Sequence, residues 1–156
     1  VVKFWQDKYS WREEEARINA ALPQFTTLID VDDGFGTLNI HFVHKRSSKH
    51  GQEGIPLLFF VHGWPGSFLE IEKGLAPLND AGFDVVAPSL PGFGFSSYTA
   101  KRGFDTGRHA EVFNKLMHKL GYARYVVQGG DWGSWVVRSM ALLYPDTVRA
   151  VHLNMV

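Results

Sequence analysis

The chain has 156 residues, within the range of about 100–200 for a single domain, and its content of 45% hydrophobic and 14% aromatic residues is ample for a packed core. Sixteen Lys and Arg balance sixteen Asp and Glu, which excludes a basic nucleic-acid footprint and an electrostatic membrane anchor. The absence of cysteine excludes disulfides, thiol catalysis and cysteine metal sites, and the longest apolar run, Ile55 to Val61, is far short of the roughly 20 residues of a membrane helix.

The first element is marked by its cap. Ser10-Trp11-Arg12-Glu13 is an S-x-x-E pattern, and Ile18 and Leu22 lie one turn apart behind it, so a short amphipathic helix is predicted to end before Pro23. Phe25 to Ile29 reads as a strand, Asp30 to Gly34 as a turn, and Leu38 to His44 as a second strand with period-two alternation, an antiparallel start to a sheet. His41 and His44 are ordinary strand histidines on this reading, because residues three apart on a strand point to opposite faces and cannot share a metal. Lys45 to Gly54 turns polar and glycine-rich, as a surface loop does.

Pro56 to Val61 is continuously apolar, as expected of a central parallel strand covered on both faces. It runs into His62-Gly63-Trp64-Pro65-Gly66-Ser67. A helical face follows in Phe68, Ile71, Leu75 and Leu78, then a strand over Phe83 to Ala87 and a glycine-rich loop from Pro88 to Ser97. Val112, Phe113, Leu116, Met117 and Leu120 define a second amphipathic helix over Thr106 to Leu120. Tyr125 to Gly129 is a strand, Trp135 to Leu143 a helix apolar almost all round and hence expected to be buried, and Val148 to Val156 a last strand. Strands alternating with helices predict a mostly parallel α/β sheet with antiparallel N-terminal strands.

The chemistry concentrates at Gly129-Gly130-Asp131-Trp132-Gly133, which lies at a strand-to-helix turn with a carboxylate at its apex. This is the layout of a nucleophile elbow, with aspartate where G-x-S-x-G has serine. Gly129 and Gly133 let the backbone turn tightly enough to lift Asp131 above the sheet, and the dipole of the following helix favours the ionised form that attacks carbon. An aspartate in a glycine-rich turn is by itself a common turn residue; the strand before it and the apolar helix after it favour the elbow. Ligands of open α/β sheets bind beyond the carboxyl ends of the strands, so the backbone N–H groups of Trp64 and Trp132 are expected to converge there on a developing oxyanion. His62, Gly63 and Pro65 support that loop, with His62 read as a hydrogen-bonding residue rather than a base. Ser67 and Ser134 are rival nucleophiles, but neither stands at the apex, and Ser134 is better placed to cap the helix start. His109 and His118 are read near the solvent side of their helix.

Gly130-Asp131-Trp132-Gly133, His62 to Ser67, and Gly92-Phe93-Gly94-Phe95-Ser96 together resemble an α/β-hydrolase-fold epoxide hydrolase. The leading segment, with Trp11, Pro23 to Thr27 and Ile40 to His44, resembles the N-terminal extension of the microsomal-type branch. The resemblance implies a helical extension over residues 1–24 and the N-terminal portion of the hydrolase core over 25–156. It implies an Asp131 alkyl-enzyme ester formed from a small-molecule epoxide and hydrolysed to a vicinal diol, with two lid tyrosines on the leaving oxygen and a histidine with an acidic partner activating water. No cofactor and no metal are called for, no membrane span is expected in this chain, and a cytoplasmic or membrane-peripheral location is implied; oligomeric state stays open. The lid of the family follows a strand like the one ending near Val156, so the lid, the base and the last strands are expected beyond this chain, in a missing C-terminal half. The cis form is implied for Trp64–Pro65. A haloalkane dehalogenase-like hydrolase resembles the chain in having Asp then Trp at the elbow, but Trp64 and the N-terminal extension favour epoxide. A non-catalytic binding module on a hydrolase scaffold is the third reading, since fold alone does not fix function.

Overall fold

The computed structural model describes residues 1–47 and 58–155. Two helices lead, α1 (Val2–Asp7) and α2 (Trp11–Ala21). Helix α2 begins where its cap predicts, with the Ser10 hydroxyl accepting the Glu13 N–H at 3.4 Å. Helix α1 carries no cap and buries no side chain, which is why no periodicity announced it. The antiparallel hairpin of β1 (Gln24–Val31) and β2 (Gly36–Lys45) is longer than the expected strands, and its turn is only residues 32–35. Asp33 and Gly34 there have φ of 55° and 72°.

Strand β3 (Leu58–Val61) is followed by a short 3-10 turn (Phe68–Ile71) and α3 (Glu72–Asp80), then β4 (Val85–Pro88), α4 (Thr106–Lys119), β5 (Tyr125–Gly129), α5 (Trp132–Leu143) and β6 (Val148–Leu153). The expected loop over 48–54, the start of the apolar strand at Pro56 and Leu57, and Val156 lie outside the described residues. The six strands form one sheet in the order β1-β2-β4-β3-β5-β6. The three pairings among β3, β4, β5 and β6 are parallel, and those of β2 with β1 and with β4 are antiparallel. This is the α/β-hydrolase arrangement, a partly parallel sheet entered through antiparallel strands.

The period of two along the strands divides the core between the two faces. Phe42, Val86 and Val127 join Val112, Phe113, Leu116 and Met117 of α4 and Val136, Val137 and Met140 of α5 on one face. Val43, Val85 and Ala87 meet Phe68, Ile71, Leu75 and Leu22 on the other. Helix α5 departs from the expectation of complete burial: Trp135, Leu142 and Leu143 are exposed, Leu142 at 81%. Composition makes the helix apolar all round, but the sheet and α4 cover only one side of it.

The strand order also says where a ligand goes. From β3 the chain crosses through α3 to β4 on one side, and from β5 it crosses through α5 to β6 on the other. Connections leave neighbouring β3 and β5 in opposite directions, so a crevice opens between their carboxyl ends. The loop of residues 62–67 leaves one of those ends and Asp131 leaves the other.

Candidate active site

Asp131 stands between β5 and α5 with φ 51° and ψ −126°, a conformation that L residues rarely hold and that must be enforced by its surroundings. The glycines around it do that. A Cβ on Gly133 would lie 2.7 Å from the His62 carbonyl oxygen, and one on Gly129 would lie 2.9 Å from Val137 Cγ2 and closer to the Gly133 backbone. A side chain on Gly63 would run into Asp131, with a Cβ 2.7 Å from its Cγ. Backbone therefore approaches backbone at this turn at distances only glycine permits, and the apex carboxylate is left exposed.

Across the crevice, the Trp64–Pro65 bond is cis, and the Trp64 N–H donates to Asp131 Oδ1 at 2.8 Å. The N–H groups of Trp64 and, to a lesser degree, Trp132 hold the Asp131 carboxyl below the usual carboxylate range, with slight desolvation opposing them. The anionic form is thus favoured by hydrogen bonds to it rather than by a neighbouring cation.

His62 is buried, and both of its ring nitrogens are engaged. The Leu90 N–H donates to Nε2 at 3.1 Å, which leaves the proton on Nδ1, donated to the Gly63 carbonyl at 3.0 Å. Burial pushes its pKa down, opposed by the Gly63 carbonyl and the charge of Glu70. A neutral ring with no spare lone pair ties β3's loop to the chain after β4 and cannot serve as a base, in keeping with its sequence reading. Ser67 accepts the Leu69 N–H at 3.3 Å and caps the 3-10 turn it precedes, whereas Ser134 lies within the first turn of α5 and donates its hydroxyl back to the Asp131 carbonyl at 2.7 Å, so it is not the helix cap its sequence position suggested. His41 and His44 do diverge: His41 meets Ser89 Oγ and Gln24 Oε1, while His44 meets the Tyr122 hydroxyl.

Two concavities flank the Asp131–Trp132 step. One, of about 330 Å³, is bounded by Trp64, Pro65, Gly66, Glu70, Asp131 and Asn154. The other, of about 460 Å³, is lined by Leu90, Phe93, Phe104, His109, Trp132 and Val136. The Asp131 carboxylate lines the smaller; the larger is a mostly apolar annex on the Trp132 side, with Asp105, Thr106 and His109 also on its wall. Sequence reasoning missed Glu70, Asn154 and the placement of His109. His109 is not at the solvent side of α4 but half-buried against Phe104, with the ring centroids 4.8 Å apart, and burial pushes its pKa down. Phe104, just ahead of the helix, was the available signal for that contact; Glu70 and Asn154 carried none, because only folding brings them beside Asp131.

Similarity to known proteins follows the same lines. A family model described as alpha/beta hydrolase fold matches residues 56–156, and one described as epoxide hydrolase N terminus matches residues 1–71. Juvenile hormone epoxide hydrolase 1 of Ctenocephalides felis is 41% identical over 99% of this chain, and Epoxide hydrolase 1 of Oryctolagus cuniculus is 38% identical over 99%. The chain spans 33% and 35% of the length of these two relatives. Among solved structures, the epoxide hydrolase of Aspergillus niger is 38% identical with a TM-score of 0.83, covering 99% of this chain and 39% of that one. The juvenile hormone epoxide hydrolase of the silkworm Bombyx mori is 34% identical with a TM-score of 0.82, covering 99% and 40%. Fold and leading segment agree with these matches: the chain belongs to the α/β-hydrolase-fold family, and its first 71 residues match the model described as epoxide hydrolase N terminus.

Proposed function

We propose that this chain supplies the nucleophile and the oxyanion-binding groups of an epoxide hydrolase that makes vicinal diols through an ester on Asp131. The observation that carries the reading is the Trp64 N–H donated to Oδ1 of an exposed carboxylate at an elbow apex. With Oδ1 held there, Oδ2 is the oxygen left to attack an epoxide carbon. The ring C–O bond breaks, its electron pair goes to the ring oxygen, and that oxygen takes a proton from a hydrogen-bond donor. Oδ1 becomes the ester carbonyl oxygen. Water then adds to Asp131 Cγ, and the negative charge that forms on Oδ1 is taken up by the Trp64 N–H, already bonded to that oxygen, with the Trp132 N–H as second donor to the carboxyl. One such donor is commonly worth about 10²–10³ in rate. Collapse breaks the Cγ–Oδ2 bond, so the diol leaves with an oxygen of Asp131 and the carboxylate keeps one from water.

The mostly apolar annex beside Trp132 suits the hydrocarbon arm of the epoxide, since Leu90, Phe93, Phe104 and Val136 offer it apolar contact. Among the described residues no histidine lines the cavity at Asp131. The reading therefore assigns the base, its acidic partner and the donors to the leaving oxygen to residues outside this chain, and residues 1–156 alone are not expected to turn over. The test is a single turnover of the whole enzyme in heavy-oxygen water, run in parallel with an epoxide and a haloalkane. Label in the Asp131 carboxylate with diol release is expected; label found only in the diol, or halide release without diol, defeats the reading.

A further inference from the structure

The cavity that holds Asp131 contains a second carboxylate that the mechanism above leaves unused. Glu70 belongs to the 3-10 turn after the loop of residues 62–67, and its side chain folds back over Gly66. A Cβ on Gly66 would fall inside the Glu70 carboxylate, 3.0 Å from its Cδ and closer to Oε1, so the absence of a side chain at 66 makes room for it. Its charge is near enough to act on the buried His62 ring beneath the loop. The same cavity of about 330 Å³ is closed by the Asn154 amide, itself packed against Gly130. The two sides of the elbow therefore differ in chemistry. The Trp132 side is mostly apolar, with Leu90, Phe93, Phe104 and Val136 beside Asp105, Thr106 and His109; the Trp64 side sets a carboxylate, an amide and open backbone beside Trp64 and Pro65. A recess of this size with several hydrogen-bonding groups has the room and the partners to hold water.

We propose that Glu70 is a catalytic residue of the second step, its carboxylate holding the attacking water against Asp131 Cγ. The assignment rests on the epoxide hydrolase reading. A carboxylate accepts hydrogen bonds, which matches Glu70 to a water molecule, whereas the reading already assigns the donors to the leaving epoxide oxygen elsewhere. As the water oxygen bonds to Cγ it gains positive character, which a carboxylate accepting one of its O–H groups stabilises. The other proton goes to the histidine base that the reading calls for, the ester π pair moves onto Oδ1, and breakage of the Cγ–Oδ2 bond releases the diol alkoxide, reprotonated by that base. The proton that stays on the new Asp131 carboxyl returns to the donor that protonated the epoxide oxygen, so the donor, the base, the Asp131 carboxylate and Glu70 are all restored at the end of the cycle.

The experiment separates the two steps in the whole enzyme by rapid mixing with an epoxide under single-turnover conditions, following ester and diol. Glu70→Gln, isosteric and at an exposed position, should leave ester formation within about twofold and slow ester hydrolysis by about 10–100-fold, the scale of a misplaced reacting group. Ester should then accumulate. Gly66→Ala should give the same split with Glu70 intact, because the added methyl displaces the carboxylate. Melting temperatures report the fold of both variants, and a merely structural role would slow both steps together. Equal slowing of ester formation and hydrolysis, or hydrolysis at the wild-type rate in Glu70→Gln, overturns the assignment while the epoxide reading stands. If wild-type enzyme forms no ester on Asp131, the epoxide reading itself falls, and Glu70's role with it.

Discussion

Replacing Gly63 by alanine should disable the oxyanion site while leaving every functional group there chemically unaltered. The added methyl would lie 2.7 Å from Asp131 Cγ, and closer to Cβ and Oδ1, against 3.4 Å for ordinary van der Waals contact. Both neighbours are backbone-anchored at a turn that glycines have already tightened, so the loop of residues 62–67 must retreat by about 0.7 Å or more. The Trp64 N–H, now 2.8 Å from Oδ1, would be carried to about 3.5 Å or beyond, where a hydrogen bond has lost most of its strength. Loss of one oxyanion donor should lower the rate of ester hydrolysis by about 10²–10³. The Trp64 N–H is also the larger of the two influences holding the Asp131 carboxyl low. Without it the pKa rises towards the ordinary carboxylate value, so the acidic limb of ester formation should move to higher pH. The assay is stopped-flow ester formation and decay across pH 3–8 in the whole enzyme, with circular dichroism and melting temperature as controls. A folded variant that hydrolyses ester at the wild-type rate, or whose acidic limb moves to lower pH, would refute the reasoning.

Glu111 tests the join between hairpin and helix. Its buried carboxylate accepts the Asp32 N–H at 2.8 Å and pairs with Lys115 and Arg108, each at 2.6 Å; burial raises its pKa, but these three outweigh it and bring it to about 2. Ionised Glu111 thus contributes about 2–3 kcal/mol, with allowance for the partly exposed Lys115; the contribution is present above the ordinary carboxyl pKa and is lost as pH falls through about 2. Urea denaturation of Glu111→Gln should show that deficit at pH 7 and a closing gap on acidification, and a gap constant from pH 5 to pH 2 would count against it. Val136→Phe should fill part of the apolar annex: kcat/KM should fall about tenfold or more for epoxides with a bulky hydrocarbon arm and hold for small ones, and an equal loss for both would dissociate the annex from the substrate.

Local physics makes a large part of this protein legible in its sequence. The cap at Ser10, the antiparallel hairpin, the alternation of strands with helices and the elbow at Asp131 all follow from patterns a few residues long, because capping, pleat and glycine-permitted turns are short-range effects. The rule for open α/β sheets brings the Trp64 loop to the elbow and the resemblance implies its cis bond; the hydrogen bond from the Trp64 N–H to Asp131, 67 positions along the chain, is where those expectations and the structure meet. Periodicity erred where the deciding neighbour is remote. Trp135, Leu142 and Leu143 are as apolar as Val136, Val137 and Met140, and only the position of the sheet and α4 decides which are covered. Helix α1 has no buried face to leave a trace, and the hairpin turn narrowed to residues 32–35 because it is clamped to α4 through Glu111, Lys115 and Arg108. The second carboxylate at the site belongs to this class as well. Nothing about Glu70 in its own segment marks it, since what singles it out is the empty place at Gly66 and the cavity it shares with Asp131, both products of β3 and β5 lying side by side. Chemistry carried by one residue can be read from its neighbours in sequence; chemistry that needs two segments to meet is settled only when the sheet brings them together.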